Sequence, residues 1–155
     1  PFIIAGVGFV IFLALGAFML RSFPGPKQME KEEVKAATNA LATTGNFSEI
    51  VAALPAGNAD SGKRQFSAKG CVGCHSLEKD KRLVGPSFYG LYTRAPNAKP
   101  GVGAKEYLYE SIVKPNEFVV PTYQQGLMPA NFSVQLSPQD MSDMLAYIER
   151  DHSEK

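Results

Sequence analysis

The pentapeptide Cys71-Val72-Gly73-Cys74-His75 constrains this chain more than any other stretch. Two thiols spaced this way can bond both vinyl groups of one haem, which leaves the following histidine beneath the iron as an axial ligand. Two other readings of a C-x-x-C pair fit the rest of the sequence poorly. A thioredoxin-like redox pair needs a strand-helix-strand frame, and residues 65–70 and 76–84 do not show it. A closed zinc tetrahedron needs four ligands, whereas the chain holds two cysteines and two histidines, with Cys74 and His75 adjacent and His152 in a polar tail that reads as frayed. The pentapeptide therefore reads as the attachment signature of one covalent haem c. Redox or gas-ligand chemistry follows from it.

With both cysteines committed, none remains for a disulfide. The 155 residues leave room for one small domain and something more. A formal net charge of +1 gives no reason to expect a nucleic-acid partner. The additional part is at the start. Residues 2–20 form an uncharged apolar run, long enough at about 1.5 Å per residue to match a hydrocarbon core of about 30 Å. A single transmembrane helix over residues 1–21, in contact with membrane lipid, is the reading. The apolar region of a cleavable signal peptide is shorter, at about 7 to 15 residues.

Residues 22–58 read as a linker and helical spacer. Ser22-Phe23-Pro24-Gly25-Pro26 breaks the first helix. Residues 29–43 read as a helix with Val34, Ala37 and Leu41 on one face, and Phe47, Ile50, Val51 and Leu54 repeat the helical spacing until Pro55. Each stripe has two candidate roles. It covers the surface of the following domain, or it docks on partner subunits.

From Ala59 onward, over residues 59–155, the chain resembles a class I cytochrome c. Ala59-Asp60-Ser61-Gly62-Lys63-Arg64-Gln65-Phe66 is similar to that family's first helix, which packs on its last. The last helix is marked by Ser137 as N-cap, Pro138 at the first helical position and Asp140 three residues on, followed by Met144, Leu145, Tyr147 and Ile148. Gly62 and Phe66 are expected to meet Leu145 and Tyr147. Val84-Gly85-Pro86-Ser87-Phe88-Tyr89-Gly90-Leu91-Tyr92-Thr93-Arg94 is similar to the stretch that follows the attachment motif. The resemblance implies that the Pro86 carbonyl accepts the Nδ1 proton of His75. Arg94 is a candidate propionate contact, with an ordinary solvated arginine as the alternative.

Residues 104–114 read as a further helix that ends at Pro115, and residues 115–137 as a long loop with a task. Gly126-Leu127-Met128-Pro129 resembles the family's methionine loop, which implies Met128 as the second axial ligand beside His75. Met19, Met29, Met141 and Met144 are the competing thioethers, with His152 as a remote alternative. Phe88, Leu91, Tyr107, Leu108 and Leu127 are the expected haem wall. The fold class is thus all-α, a class I cytochrome c bundle around one haem, preceded by a transmembrane helix and a spacer.

The resemblance also bears on location and function. Arg21, Lys27, Lys31 and Lys35 would by themselves hold their flank in the cytoplasm. Haem c is attached after export in bacteria, so the resemblance puts the haem domain on the periplasmic side of the cell membrane. Lys63, Arg64, Lys69, Lys79, Lys81 and Arg82 cluster around the motif, either steering an acidic redox partner or forming a solvated face with Asp60, Glu78 and Asp80. With both axial positions filled, the chain is not an enzyme on its own but a carrier of single electrons. An anchor, a spacer and one haem domain resemble the mono-haem cytochrome subunit of a quinol-oxidising complex such as alternative complex III. A tethered cytochrome feeding an oxidase or reaction centre, a haem protein with an open sixth site, and a mainly structural subunit are the alternatives.

Overall fold

The computed structural model describes Ala36 and residues 46–152, and all regular structure among the described residues is helical. The chain divides into two units, Pro1–Ala36 and Ala37–Lys155. Apart from Ala36, the described residues belong to the second. The expected membrane anchor and the first apolar stripe lie outside the described residues. Among the described residues, no helix is long and apolar enough to cross a membrane.

Among the described residues from 46 onward, six α-helices follow one another: α1 (Phe47–Ala53), α2 (Ala59–Ala68), α3 (Leu91–Ala98), α4 (Ala104–Val113), α5 (Phe132–Gln135) and α6 (Pro138–Asp151). Side-chain caps set the start of three of them. Asn46 and Asn58 cap α1 and α2, their side-chain oxygens accepting from Glu49 N at 3.4 Å and Ser61 N at 2.9 Å. The capping box expected at α6 is present. Ser137 Oγ accepts from Asp140 N at 3.2 Å, and Asp140 Oδ2 accepts from Ser137 N at 2.9 Å. These bonds satisfy amides that the first turn of a helix leaves without partners.

The α2–α6 pair is the frame. Gly62 lets the two backbones approach so closely that a Cβ on it would lie 2.0 Å from the Asp143 carbonyl oxygen and 2.8 Å from Tyr147 Cβ. Phe66 and Tyr147, both almost fully buried, meet at 5.7 Å between ring centroids. Polar ties flank this apolar contact. Gln65 Nε2 donates to Asp140 Oδ1 at 2.7 Å, and Arg150 pairs with Asp60 at 2.8 Å. The segment between α1 and α2 is fastened as well, through Asn58 N to Asp143 Oδ1 at 2.7 Å and Gln139 Nε2 to the Ala56 carbonyl at 2.9 Å.

The apolar stripe of α1 is turned inward. Ile50 is fully buried, and Phe47 lies 5.8 Å from the Tyr109 ring of α4. Of the two roles open to this stripe, it covers the domain's own surface. The long loop after Pro115 differs from expectation in holding α5 near its end. Helix α3 was hidden in the sequence by Pro96, which lies inside it. A proline at that point removes one backbone donor and ordinarily reads as a helix break.

His152 requires a correction. The polar neighbours of the C-terminus suggest a frayed residue, yet His152 is the C-cap of α6 and is 7% exposed. Its ring packs edge-on against Tyr147 and Phe88, with centroids at 4.9 and 5.8 Å, and its carbonyl accepts from Tyr92 N at 3.1 Å.

Candidate functional site

The attachment motif forms a single tight turn. A 3₁₀ helix covers Cys71–Gly73, and the Cys71 carbonyl accepts from both Cys74 N at 3.2 Å and His75 N at 2.9 Å. The chain then doubles back beside itself. Gly85 N donates to the Cys74 carbonyl at 2.8 Å and Phe88 N to the Ser76 carbonyl at 2.8 Å. Ser87 Oγ adds a bond to the Glu78 carbonyl at 2.6 Å.

This doubling delivers Pro86 to His75. The ring nitrogen Nδ1 lies 2.8 Å from the Pro86 carbonyl, which can only accept, so Nδ1 carries the proton. Burial pushes the imidazole's pKa down against the upward pull of that carbonyl. A neutral ring protonated at Nδ1 has its lone pair on Nε2, the form a metal requires. Gly85 is a residue that sequence reasoning passed over. A Cβ there would lie 2.4 Å from His75 Cε1 and 2.8 Å from Nδ1, so the glycine backbone is one wall of the imidazole's slot. Its signal was available as the position just before Pro86, but nothing in one sequence separates it from an ordinary turn glycine.

A cavity of about 240 Å³ opens beside this turn. Cys71, Cys74 and His75 line it from the motif, and Pro86, Phe88 and Leu91 from the stretch after it. Tyr107 and Leu108 of α4 close another side, and Leu127 and Met128 reach it from the long loop. Apart from Arg94, every residue expected at the site lines this cavity. The Arg94 guanidinium instead donates to the Ser87 and Tyr89 carbonyls, bracing the turn before α3. Met141 is buried in the core away from the cavity, whereas Met144 of α6 is buried and also lines it. Among the described residues, two thioethers therefore reach the cavity. His152 does not line it.

The donor set suits a covalent haem. The walls are mainly apolar, the paired thiols sit at the rim, and a neutral imidazole is held by its far nitrogen. Burial pushes the Cys71 thiol's pKa up, so it is protonated at neutral pH. Among the described residues, no group of three or more His, Cys, Asp and Glu side chains could hold a metal ion, which leaves no zinc cluster around the cysteine pair. The surrounding cations do not form one uncommitted patch. Lys81 pairs with Glu78 at 2.7 Å, Lys69 donates to the Gln135 carbonyl at 3.1 Å, and Arg64 donates to Ser61 Oγ at 2.9 Å.

The model of the family Cytochrome c matches residues 59–150. The chain belongs to the cytochrome c family. Among curated relatives, cytochrome c2 of Rhodopila globiformis is 30% identical over 107 residues, which span 61% of this chain and 94% of that protein. Cytochrome c type-1 of Ascaris suum is 26% identical over 112 residues, spanning 63% of this chain and 92% of its own. Cytochrome c 2.1 of Caenorhabditis briggsae is 26% identical over 113 residues, with spans of 64% and 93%. The protein is thus an electron carrier with covalent haem c, its cysteines in the C-x-x-C arrangement. The match begins at Ala59, the first residue of α2, so α1 lies before the matched residues and packs against them.

Proposed function

We propose that this cytochrome relays single electrons as a membrane-anchored subunit of a quinol-oxidising respiratory or photosynthetic complex, with its haem domain on the periplasmic side. Haem c supplies a one-electron couple between ferric and ferrous iron. The chain's own residues do the rest. Cys71 and Cys74 would tether the group, and His75 through Nε2 and Met128 through its sulfur would hold its iron. Pro86 holds the His75 ring in one tautomer, which makes the imidazole a stronger donor. Phe88 and Leu91, half-buried, and Tyr107 and Leu108, buried, would exclude water from the group and so favour the less charged iron site.

The observation that carries the axial pair is the 2.8 Å bond from His75 Nδ1 to Pro86, with Met128 reaching the same cavity. The anchor is supported by the uncharged run over residues 2–20. Two experiments test the reading. In the oxidised spectrum, Met128→Ala is expected to abolish the methionine-to-iron charge-transfer band and Met144→Leu to keep it; the reverse pattern assigns the thioether to α6. Gentle extraction from membranes is expected to bring other redox subunits with the cytochrome. A second reading is a tethered shuttle that serves an oxidase or reaction centre. It is favoured by relatives matched over 92–94% of their own length, which shows that such a haem domain makes nearly a whole protein. A cytochrome extracted alone supports the shuttle.

A further inference from the structure

Arg82 stands seven positions after His75, in an exposed stretch of mixed charge that in sequence looks merely solvated. The structure gives it a distant partner. Nη1 donates to Thr122 Oγ1 at 3.0 Å, Nη2 donates to the Thr122 carbonyl, and the guanidinium carbon sits 4.3 Å from the centroid of the Tyr123 ring. The forked donors and the flat face of one side chain thus grip two adjacent residues. Lysine could not reproduce this, because an ammonium is a point charge without fork or plane.

Both ends of the contact have unusual backbone. Thr122 lies at φ +77° and Asp80, two residues before Arg82, at φ +57°; among the described residues they are the two non-glycine residues with positive φ. A β-branched threonine rarely adopts that conformation, and such strain persists where surrounding contacts over-determine it. The gripped loop also matters to the site. Tyr123 and Met128 both line the cavity, and the loop's neck is closed by Gly126 N donating to Asn116 Oδ1 at 2.8 Å. Asn116 therefore fastens the neck and Arg82 the flank, from the segment that leaves the His75 side.

We propose that Arg82 is a positioning residue, a clasp that holds the 115–131 loop shut and disfavours displacement of Met128 by a competing ligand. The inference rests on the reading of Met128 as that ligand. An exposed clasp of this kind is expected to change ligand competition about three- to tenfold. The test uses the oxidised holoprotein as wild type, Arg82→Ala and Arg82→Lys, with imidazole as the competing ligand. Binding is followed by loss of the methionine-to-iron charge-transfer band, and melting temperature is measured alongside. The expected result is a rise of about three- to tenfold in imidazole affinity in both variants, with melting unchanged. Affinity unchanged in Arg82→Ala, or restored to wild type in Arg82→Lys, overturns the clasp while leaving Met128 in place. A rise accompanied by a general drop in melting temperature assigns Arg82 to global stability and also overturns it. A wild-type protein without the band removes Met128 as ligand, and the clasp with it.

Discussion

Gly62→Ala should be among the most damaging single-methyl changes in this cytochrome. The added Cβ would lie 2.0 Å from the Asp143 carbonyl oxygen, 2.5 Å from its carbon and 2.8 Å from Tyr147 Cβ. The first two atoms are backbone and cannot rotate away. Restoring even a 3.0 Å contact to the oxygen requires α2 and α6 to separate by about 1 Å, the difference between 3.0 and 2.0 Å. A gap of that size forfeits a quarter to a half of the dispersion energy of each atom pair it opens, and Phe66 and Tyr147 lie on this seam. Overpacking costs about 1–3 kcal/mol, and contact with backbone puts this case at about 3. Alanine's better helix propensity returns up to about 1 kcal/mol, leaving a net loss of about 2. For a domain of this size that is about 8–16 °C in melting temperature. The assay is thermal unfolding of the oxidised holoprotein by circular dichroism, with haem attached in both proteins so that its stabilisation is common to both. Gly73→Ala is the control, because no protein atom outside its own turn lies within 4 Å of the Cβ it would add. A Gly62→Ala protein that melts with the control would refute the argument from close approach.

Gly85→Ala should push the His75 ring off the Pro86 carbonyl, since its Cβ would lie 2.4 Å from Cε1. A looser hydrogen bond makes the imidazole a weaker donor, so the reduction potential should rise; a redox titration that matches wild type would count against this. Replacing both Cys71 and Cys74 by Ala should give a chain with little helical circular dichroism, because the apolar cavity walls then face water in a domain too small to spare them. Retained helicity would show that the bundle closes without its haem. Burial pushes the His152 pKa down from 6.5, with Asp151 opposing and Lys63 adding to the shift. The unfolded chain therefore binds the proton more readily, so this residue's contribution to stability is complete above about pH 6.5 and is lost as pH falls below it. His152→Phe should flatten the slope of the urea midpoint below about pH 6.5, and parallel slopes would sink that assignment.

Much of this was legible because it is local. A cap is a relation among residues three apart, and Ser137 announces α6 in that way. The attachment turn is five residues long and carries its own chemistry. The contact of Gly62 and Phe66 with α6 came from likeness to a family, not from spacing. What stayed hidden depends on residues far apart in sequence. His152 follows a charged stretch, and only the folded chain brings Phe88 and Tyr147 around it. Gly85 looks like any turn glycine until the His75 ring is laid against it. Arg82 and Thr122 are 40 positions apart, and Met144 reads as core filler although it also faces the cavity. Arg94 shows the same limit from the other side. Family likeness made it a candidate propionate contact, and only the folded chain shows its guanidinium donating to the Ser87 and Tyr89 carbonyls.

The site and the bundle draw on the same few contacts. Phe88 lies 4.7 Å from Phe66, 5.0 Å from His75 and 5.8 Å from His152, as ring centroids. One ring thus touches the α2–α6 seam, the imidazole and the C-cap of the last helix at once. A change that loosens the seam at Gly62 should therefore reach His75 through Phe88 as well as through overall stability. A change confined to the 115–131 loop should leave that path alone. On the proposed axial pair, the two sides of the cavity are held by different means. His75 is fixed by the helical frame through Phe88, and Met128 depends on side chains that tie an exposed loop. Ligand exchange should begin on the loop side, at a free energy well below that of global unfolding.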